Sequence, residues 1–225
     1  MKQNVIILIG CLLAISLIGT SSYGGERERF YELTVTNMTK GQTFTPILVL
    51  THRRGVSLFT PGSPASMALA ALAEAGDTGP LTEMMSMNPG VRDIVTSDGL
   101  LFPGETKTIM IPQSERYRYI SIAAMIIPTN DGFIALNGVQ APAGGNAVMY
   151  LSPAYDAGSE MNDELCDNIP GPVCGGEAIS EEDGEGYVRI HEGIHGIGSL
   201  DESIYDWRNP VARIVIQRTD HHYDK

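Results

Sequence analysis

The sequence predicts an all-β fold, an antiparallel β-sandwich of about eight strands with one or two short helices inserted. Three observations point there. Short runs rich in Val, Ile, Thr, Tyr and Phe recur along the chain. Glycine and proline, 25 and 13 of the 225 residues, punctuate nearly every gap between these runs. Only one stretch has a strongly helix-forming composition.

Taken in order, Phe30 to Thr36 alternates apolar and polar residues with β-branched and aromatic types, the mark of a half-buried strand, and Pro46 to Thr51 is a short apolar strand. Ser63-Pro64 supplies a helix N-cap and a first-turn proline, Ala65 to Ala75 propagates the helix, and Gly76 ends it. A weaker helical turn spans Leu81 to Met87, where Met84, Met85 and Met87 read as packing residues. Lys107 to Ile111 alternates again. Tyr117 to Ile127 is a longer, nearly continuous apolar run, expected of a central strand buried on both faces. Phe133 to Leu136, Ala147 to Leu151, Gly186 to Ile190 and Val211 to Gln217 complete the strand set.

Residues 1–24 read as a signal peptide. Lys2 precedes an apolar run from Val5 to Ile18, which ends in Gly19-Thr20-Ser21-Ser22 and is too short for an ordinary membrane span. Leu8-Ile9-Gly10-Cys11 also looks like a lipoprotein cleavage box. Only five apolar residues precede it, however, and the apolar run continues past Cys11. Residues 25–225, about 200 residues, suit a single domain with one core. Losing Lys2 makes the mature chain one charge more acidic than the full chain's −12. That balance argues against nucleic acid or an anionic membrane as partner, since both require clustered Lys and Arg. Cys166 and Cys174, an isolated pair in an exported chain, read as one disulfide, with two free thiols as the alternative.

The charge distribution is the most informative feature for function. Between Arg118 and Arg189 there is no Lys or Arg, while eleven acids fall there, from Asp131 to Glu185. Carboxylates that a fold brings together repel one another, so either water and salt screen them on an exposed rim or a bound cation neutralises some of them. Asp131 follows a strand end and precedes Gly132. Asp156 and Glu160 lie four apart around Gly158, so one tight loop can aim both at a point. Calcium takes six to eight oxygens from such loops. Carbonyls near Asn130, the Asn162 side chain and water would complete the set.

His191-Glu192-Gly193-Ile194-His195, followed by Asp201, competes as a zinc-hydrolase pattern in which two histidines on a helix bind zinc and the glutamate activates water. That chemistry needs a helix. Gly193, Gly196 and Gly198 each cost about 1 kcal/mol in one, and the preceding residues read as a strand. Both histidines are therefore expected on the surface or in a loop. The sequence carries neither a G-x-S-x-G nucleophile elbow nor a phosphate-binding glycine loop.

Six motifs in order resemble the spondin domain, the N-terminal domain of the F-spondin and mindin family, in its stand-alone exported bacterial form. They are Thr51-His52 with Phe59; Pro61 to Ser66 with Leu72 to Gly76; Leu101 to Gly104; Ser121 to Phe133; Tyr155 to Glu160; and Asp206 to Ala212. The resemblance runs from about Phe30 to Arg218. It implies a C2-like antiparallel sandwich with calcium held by acidic loops at one end, the ligand positions falling on Asp131, Asp156 and Glu160. In animal members the domain serves matrix and cell adhesion. This chain departs from them in having Gly132-Phe133 where a Trp is usual, Glu160 where a second Asp is usual, and no Cys- and Trp-rich repeats after the domain. The expectation is an exported, non-catalytic, calcium-binding recognition domain whose partner is an extracellular protein or glycan. The rivals are a zinc metalloprotease using His191, Glu192 and His195, and a metal-independent envelope protein.

Overall fold

The computed structural model describes residues 28–179 and 184–221; the predicted signal peptide, Cys11 and the acids Glu181, Glu182 and Asp183 lie outside the described residues. The chain forms β1 (Glu28–Asn37), β2 (Thr43–Phe44), β3 (Leu48–His52), α1 (Met67–Ala75), α2 (Gly79–Ser86), β4 (Val91–Thr96), β5 (Thr106–Pro112), β6 (Tyr119–Ile127) and β7 (Gly132–Gln140). There follow β8 (Val148–Ser152), β9 (Ala154–Asp156), a 3-10 turn at Cys166–Asn168, β10 (Arg189–Ile190), α3 (Glu202–Tyr205) and β11 (Ala212–His221).

Two antiparallel sheets pack face to face. One has the order β5-β1-β11-β8; the other runs β10-β9-β7-β6-β3-β4, with β2 also paired to β6. The period-2 alternation in β1 does what it predicts: Tyr31, Leu33 and Val35 point into the space between the sheets, beside Ile109 and Ile111 of β5 and Ile214 and Ile216 of β11. Facing them are Ile120, Ile122, Ala124 and Ile126 of β6 and Ile134 and Leu136 of β7. A second apolar cluster lies on the other side of the larger sheet, where Leu69 and Leu72 of α1 and Leu81 and Met85 of α2 cover Leu48, Leu50, Ala123, Phe133 and Ala135. Covered on both sides, β6 buries every residue from Ile120 to Ile127, which is why its sequence is continuously apolar rather than alternating.

Several boundaries differ from the sequence-based expectation, each for a local reason. The helix starts at Met67, capped by Ser66, whose Oγ accepts the Leu69 N–H at 3.1 Å, and not at Ser63-Pro64. Ser63 is held elsewhere. Its N–H bonds the Thr60 carbonyl, its carbonyl accepts the Val188 N–H at 2.9 Å, and the Gly62 N–H returns to Val188 at 2.8 Å. Those same bonds shorten the expected strand Gly186–Ile190 to Arg189–Ile190, because Val188 pairs with this turn instead of continuing the ladder. Gly76 ends α1 as expected, in the left-handed region at φ 67°, where a Cβ would also meet Thr45 Cγ2 at 2.7 Å. Strands β2, β4 and β9 go beyond the expected eight. Two of them are only two or three residues long, and β4 carries Arg92-Asp93 within an edge strand.

The Cys166–Cys174 disulfide forms, closing the loop after the 3-10 turn. It replaces the free-thiol alternative.

Candidate functional site

The candidate carboxylates sit at one end of the larger sheet, in the turn between β6 and β7 and in the loop after β9. Register brings them together. Gly132 pairs with Asp156 across β7 and β9, so Asp131 stands one residue beyond the last pair, against the loop that Asp156 opens. Phe133, Tyr155 and Phe59 lock this junction with ring centroids 5.0 to 5.5 Å apart. Gly158 must turn through φ 65° with its Cα against the backbone of Tyr187, leaving 2.3 Å between a Cβ and the Tyr187 carbonyl oxygen, so no other residue fits there.

Asp131, Asp156 and Glu160 are 0, 0 and 2 % exposed, which rules out a solvated acidic rim for these three. Asp131 Oδ2 accepts the backbone N–H groups of Ser159 (2.8 Å) and Glu160 (3.2 Å). Its Oδ1 is buried with no hydrogen-bond partner. Asp156 Oδ1 accepts the Gly158 N–H at 2.7 Å, and its Oδ2 accepts Asn162 Nδ2 at 2.6 Å and faces Arg189 Nη2 at 3.2 Å. Asn130 Nδ2 lies 3.5 Å from Glu160 Oε1 and 3.0 Å from Asp163 Oδ1.

Burial pushes the Asp131 carboxyl far up, to about 8; the neighbouring Asp156 raises it further, and the two N–H donors pull against that. Burial also raises Asp156, to about 6, opposed by the Asn162 bond and the Arg189 charge. Glu74, on the last turn of α1, is a fourth buried carboxylate; burial raises it, and a hydrogen bond from Ser159 acts the other way. Ser159 thus touches both Glu74 and Asp131, whose Oδ2 is 3.4 Å from its hydroxyl.

The donors suit an oxygen-seeking cation in chemistry, and Asp131 Oδ1 is the unfilled buried acceptor such an ion would satisfy. The fit is partial. Asp156 Oδ2 is already taken by Asn162 and Arg189, and among the described residues no group of three or more His, Cys, Asp or Glu side chains is arranged to hold a metal ion. The structure therefore brings the two segments together without converging their three carboxylates.

The zinc-hydrolase pattern comes apart. Residues 191–195 are not helical, and Gly193 has φ 105°. His191 lies in a loop, as expected, but is buried there and not on the surface. Its ring packs on Trp207 at 4.9 Å, and its Nδ1 accepts the Gly193 N–H at 3.1 Å, leaving a buried Nε2 without a partner. Burial, reinforced by the Arg189 and His195 charges, drives its pKa down to about 3. Glu192 lies 3.2 Å from Arg189 Nη1, His195 is exposed, and Asp201 caps α3 through the Ser203 N–H at 2.9 Å. His191, Glu192, His195, Asp206 and Trp207 are among the residues around a cavity of about 300 Å³. The loop owes its shape to an acid from the other segment: Glu164, buried, accepts the N–H groups of His195 at 2.6 Å and Ile197 at 2.9 Å.

Arg189 is the site residue that sequence reasoning missed. It ends the cation-free stretch, so its charge was visible, but nothing in the sequence tells that β10 pairs it directly with Asp156. Besides Asp156 it holds Glu185 Oε1 at 2.7 Å.

Fold and site together define a class: a disulfide-bearing antiparallel sandwich with a helix pair on one sheet and a buried acidic end. The spondin N-terminal domain profile matches residues 30–159, more than half of the chain, and the protein belongs to that family. The match holds Asp131 and Asp156 and stops one residue short of Glu160. It does not reach the Asp206-Trp207 segment that the sequence resemblance included. No curated protein matches the chain. The disulfide fits an oxidising, extracytoplasmic setting, and no helix among the described residues is long and apolar enough to cross a membrane.

Proposed function

We propose that this spondin-type domain is an exported, non-catalytic recognition or adhesion module whose acidic end binds calcium. The observation that carries the reading is the Asp131 carboxylate, fully buried beside Asp156 with one oxygen lacking any partner. Two buried acids near enough for one to raise the other's pKa are costly unless a proton or a cation offsets them, and a family member with this pair at its acidic end has a use for the cation. Asp131, Asp156 and Glu160 would hold the ion. Bound calcium supplies the positive charge that lets both aspartates ionise and fixes the loops around them as a recognition surface for an extracellular protein or glycan.

Calorimetric unfolding in EDTA and then in 2 to 5 mM calcium tests this. With an affinity on the order of 0.1 to 1 mM, typical of extracellular modules, calcium should add about 1 to 2 kcal/mol. Asp156→Asn should fold and lose the response. Identical melting with and without calcium would leave a metal-independent domain, its acids managed by protonation and by Arg189.

A further inference from the structure

We propose that Tyr31, Arg118 and Arg218 form a binding site for a phosphate or sulfate group, at the end of the sandwich opposite the acidic loops. The site is independent of the calcium reading and shares no residue with it.

Strand register builds it. Tyr31 pairs with Arg218 across β1 and β11, so the two side chains share the inner face of the smaller sheet. Arg118 immediately precedes β6, and the chain leaving β7 returns beside it, the Ala141 N–H bonding the Arg118 carbonyl at 2.8 Å. Tyr31, Arg118 and Arg218 are, with Gln113 and Glu115, among the residues lining a cavity of about 360 Å³. Its donors exceed its acceptors. Tyr31 is 1 % exposed, and its hydroxyl has no hydrogen-bond partner among the described residues, although both guanidiniums lie near enough for their charge to act on it. A hydroxyl held against the core without a partner is costly.

Arg218 meets only neutral acceptors, the Ala143 carbonyl and Gln113 Oε1, the latter at 3.1 Å. Among the described residues neither Arg118 nor Arg218 forms an ion pair; Glu115 lines the cavity without closing on either. The positive charge extends further, because β3 pairs His52 with Tyr119 and so brings Arg53 to the same end, its guanidinium 4.9 Å from the Tyr117 ring centre. One anion accepting from both guanidiniums and the phenol would satisfy the charge and the orphaned hydroxyl together. A phosphate or sulfate ester offers an oxygen to each of these donors, whereas a carboxylate has only two. The cavity is larger than a bare oxyanion and admits the group that carries it, as in a sugar phosphate or sulfate.

Titration calorimetry of the wild type with inorganic phosphate, sulfate and acetate, at constant ionic strength in chloride, tests this. Phosphate, sulfate or both should bind in the millimolar range, the tighter of the two naming the ester, and acetate about tenfold more weakly. Tyr31→Phe removes only an unpartnered hydroxyl, so it should melt no lower than the wild type and bind about fivefold more weakly. Arg118→Gln, at an exposed position, should fold and bind about tenfold more weakly, while Glu115→Gln should bind more tightly. The proposal is overturned if the wild type binds neither phosphate nor sulfate, or if either Tyr31→Phe or Arg118→Gln leaves that binding unchanged. Acetate binding as tightly as both overturns it too. None of these outcomes bears on calcium.

Discussion

Replacing Asp131 by Asn separates two consequences of the same carboxylate, and they have opposite signs. In the folded protein burial raises the Asp131 carboxyl from 3.8 to about 8. At pH 7 the unfolded chain has therefore released a proton that the native state must keep, which at about 1.4 kcal/mol per pH unit amounts to roughly 4 kcal/mol against folding. Asparagine carries no such cost. Its Oδ1 can take over the Ser159 and Glu160 N–H groups, while its amide nitrogen falls where Asp131 Oδ1 now lies unpartnered, a buried donor costing about 1 to 3 kcal/mol. The balance is a metal-free variant more stable than the wild type by about 2 kcal/mol, or roughly 4 to 8 °C in Tm for a domain of this size. Added calcium should then stabilise the wild type and leave Asp131→Asn unmoved. Scanning calorimetry at pH 7, in EDTA and in 5 mM calcium, reads both effects. A metal-free Asp131→Asn protein that melts below the wild type would refute the electrostatic reasoning, for it would mean that the ionised carboxylate is a net asset, held by its two N–H donors. A calcium response that survives in the variant would refute its role as a ligand.

Two further outcomes follow from the same geometry. His191, whose pKa burial depresses from 6.5 to about 3, stays neutral in the fold while the unfolded chain takes up a proton below pH 6.5, so it contributes stability that is lost as pH falls toward 3, by up to about 1.4 kcal/mol per pH unit. The raised Asp131 and Asp156 act in the reverse sense, their contribution being lost as pH rises. Hence His191→Gln should flatten the acid side of the stability curve relative to wild type; parallel curves would count against a buried neutral imidazole. Opening the Cys166–Cys174 bridge, by reductant or by paired Cys→Ser changes, should cost about 2.5 kcal/mol from loop-closure entropy for so short a ring. An unchanged Tm would show that the surrounding contacts alone hold that loop.

The all-β class, the long central strand and the placing of the acids in loops are legible from residue order, because each depends on neighbours within a few positions. Alternation in Tyr31-Leu33-Val35, the unbroken apolar run of β6 and the Gly76 stop are local features with local causes. The disulfide was legible too, since a chain read as exported, with a cysteine pair isolated from Cys11, favours one bridge over two free thiols. What residue order leaves open is anything decided by two distant segments meeting. Ser66 caps α1 while the Ser63 carbonyl is taken by Val188, and the same backbone bonds keep Val188 out of β10.

The acidic end divides in the same way. That Asp131 and Glu160 lie in turns with Asp156 at the strand end beside them, and that no Lys or Arg falls among them in sequence, belongs to the chain alone. That they are buried, that one oxygen of Asp131 has no partner and that Arg189 pairs with Asp156 across a two-residue strand belongs to the tertiary structure. Burial and strand register are properties of the packed whole, and it is they that turn a loop rich in acids into a site where charge must be balanced.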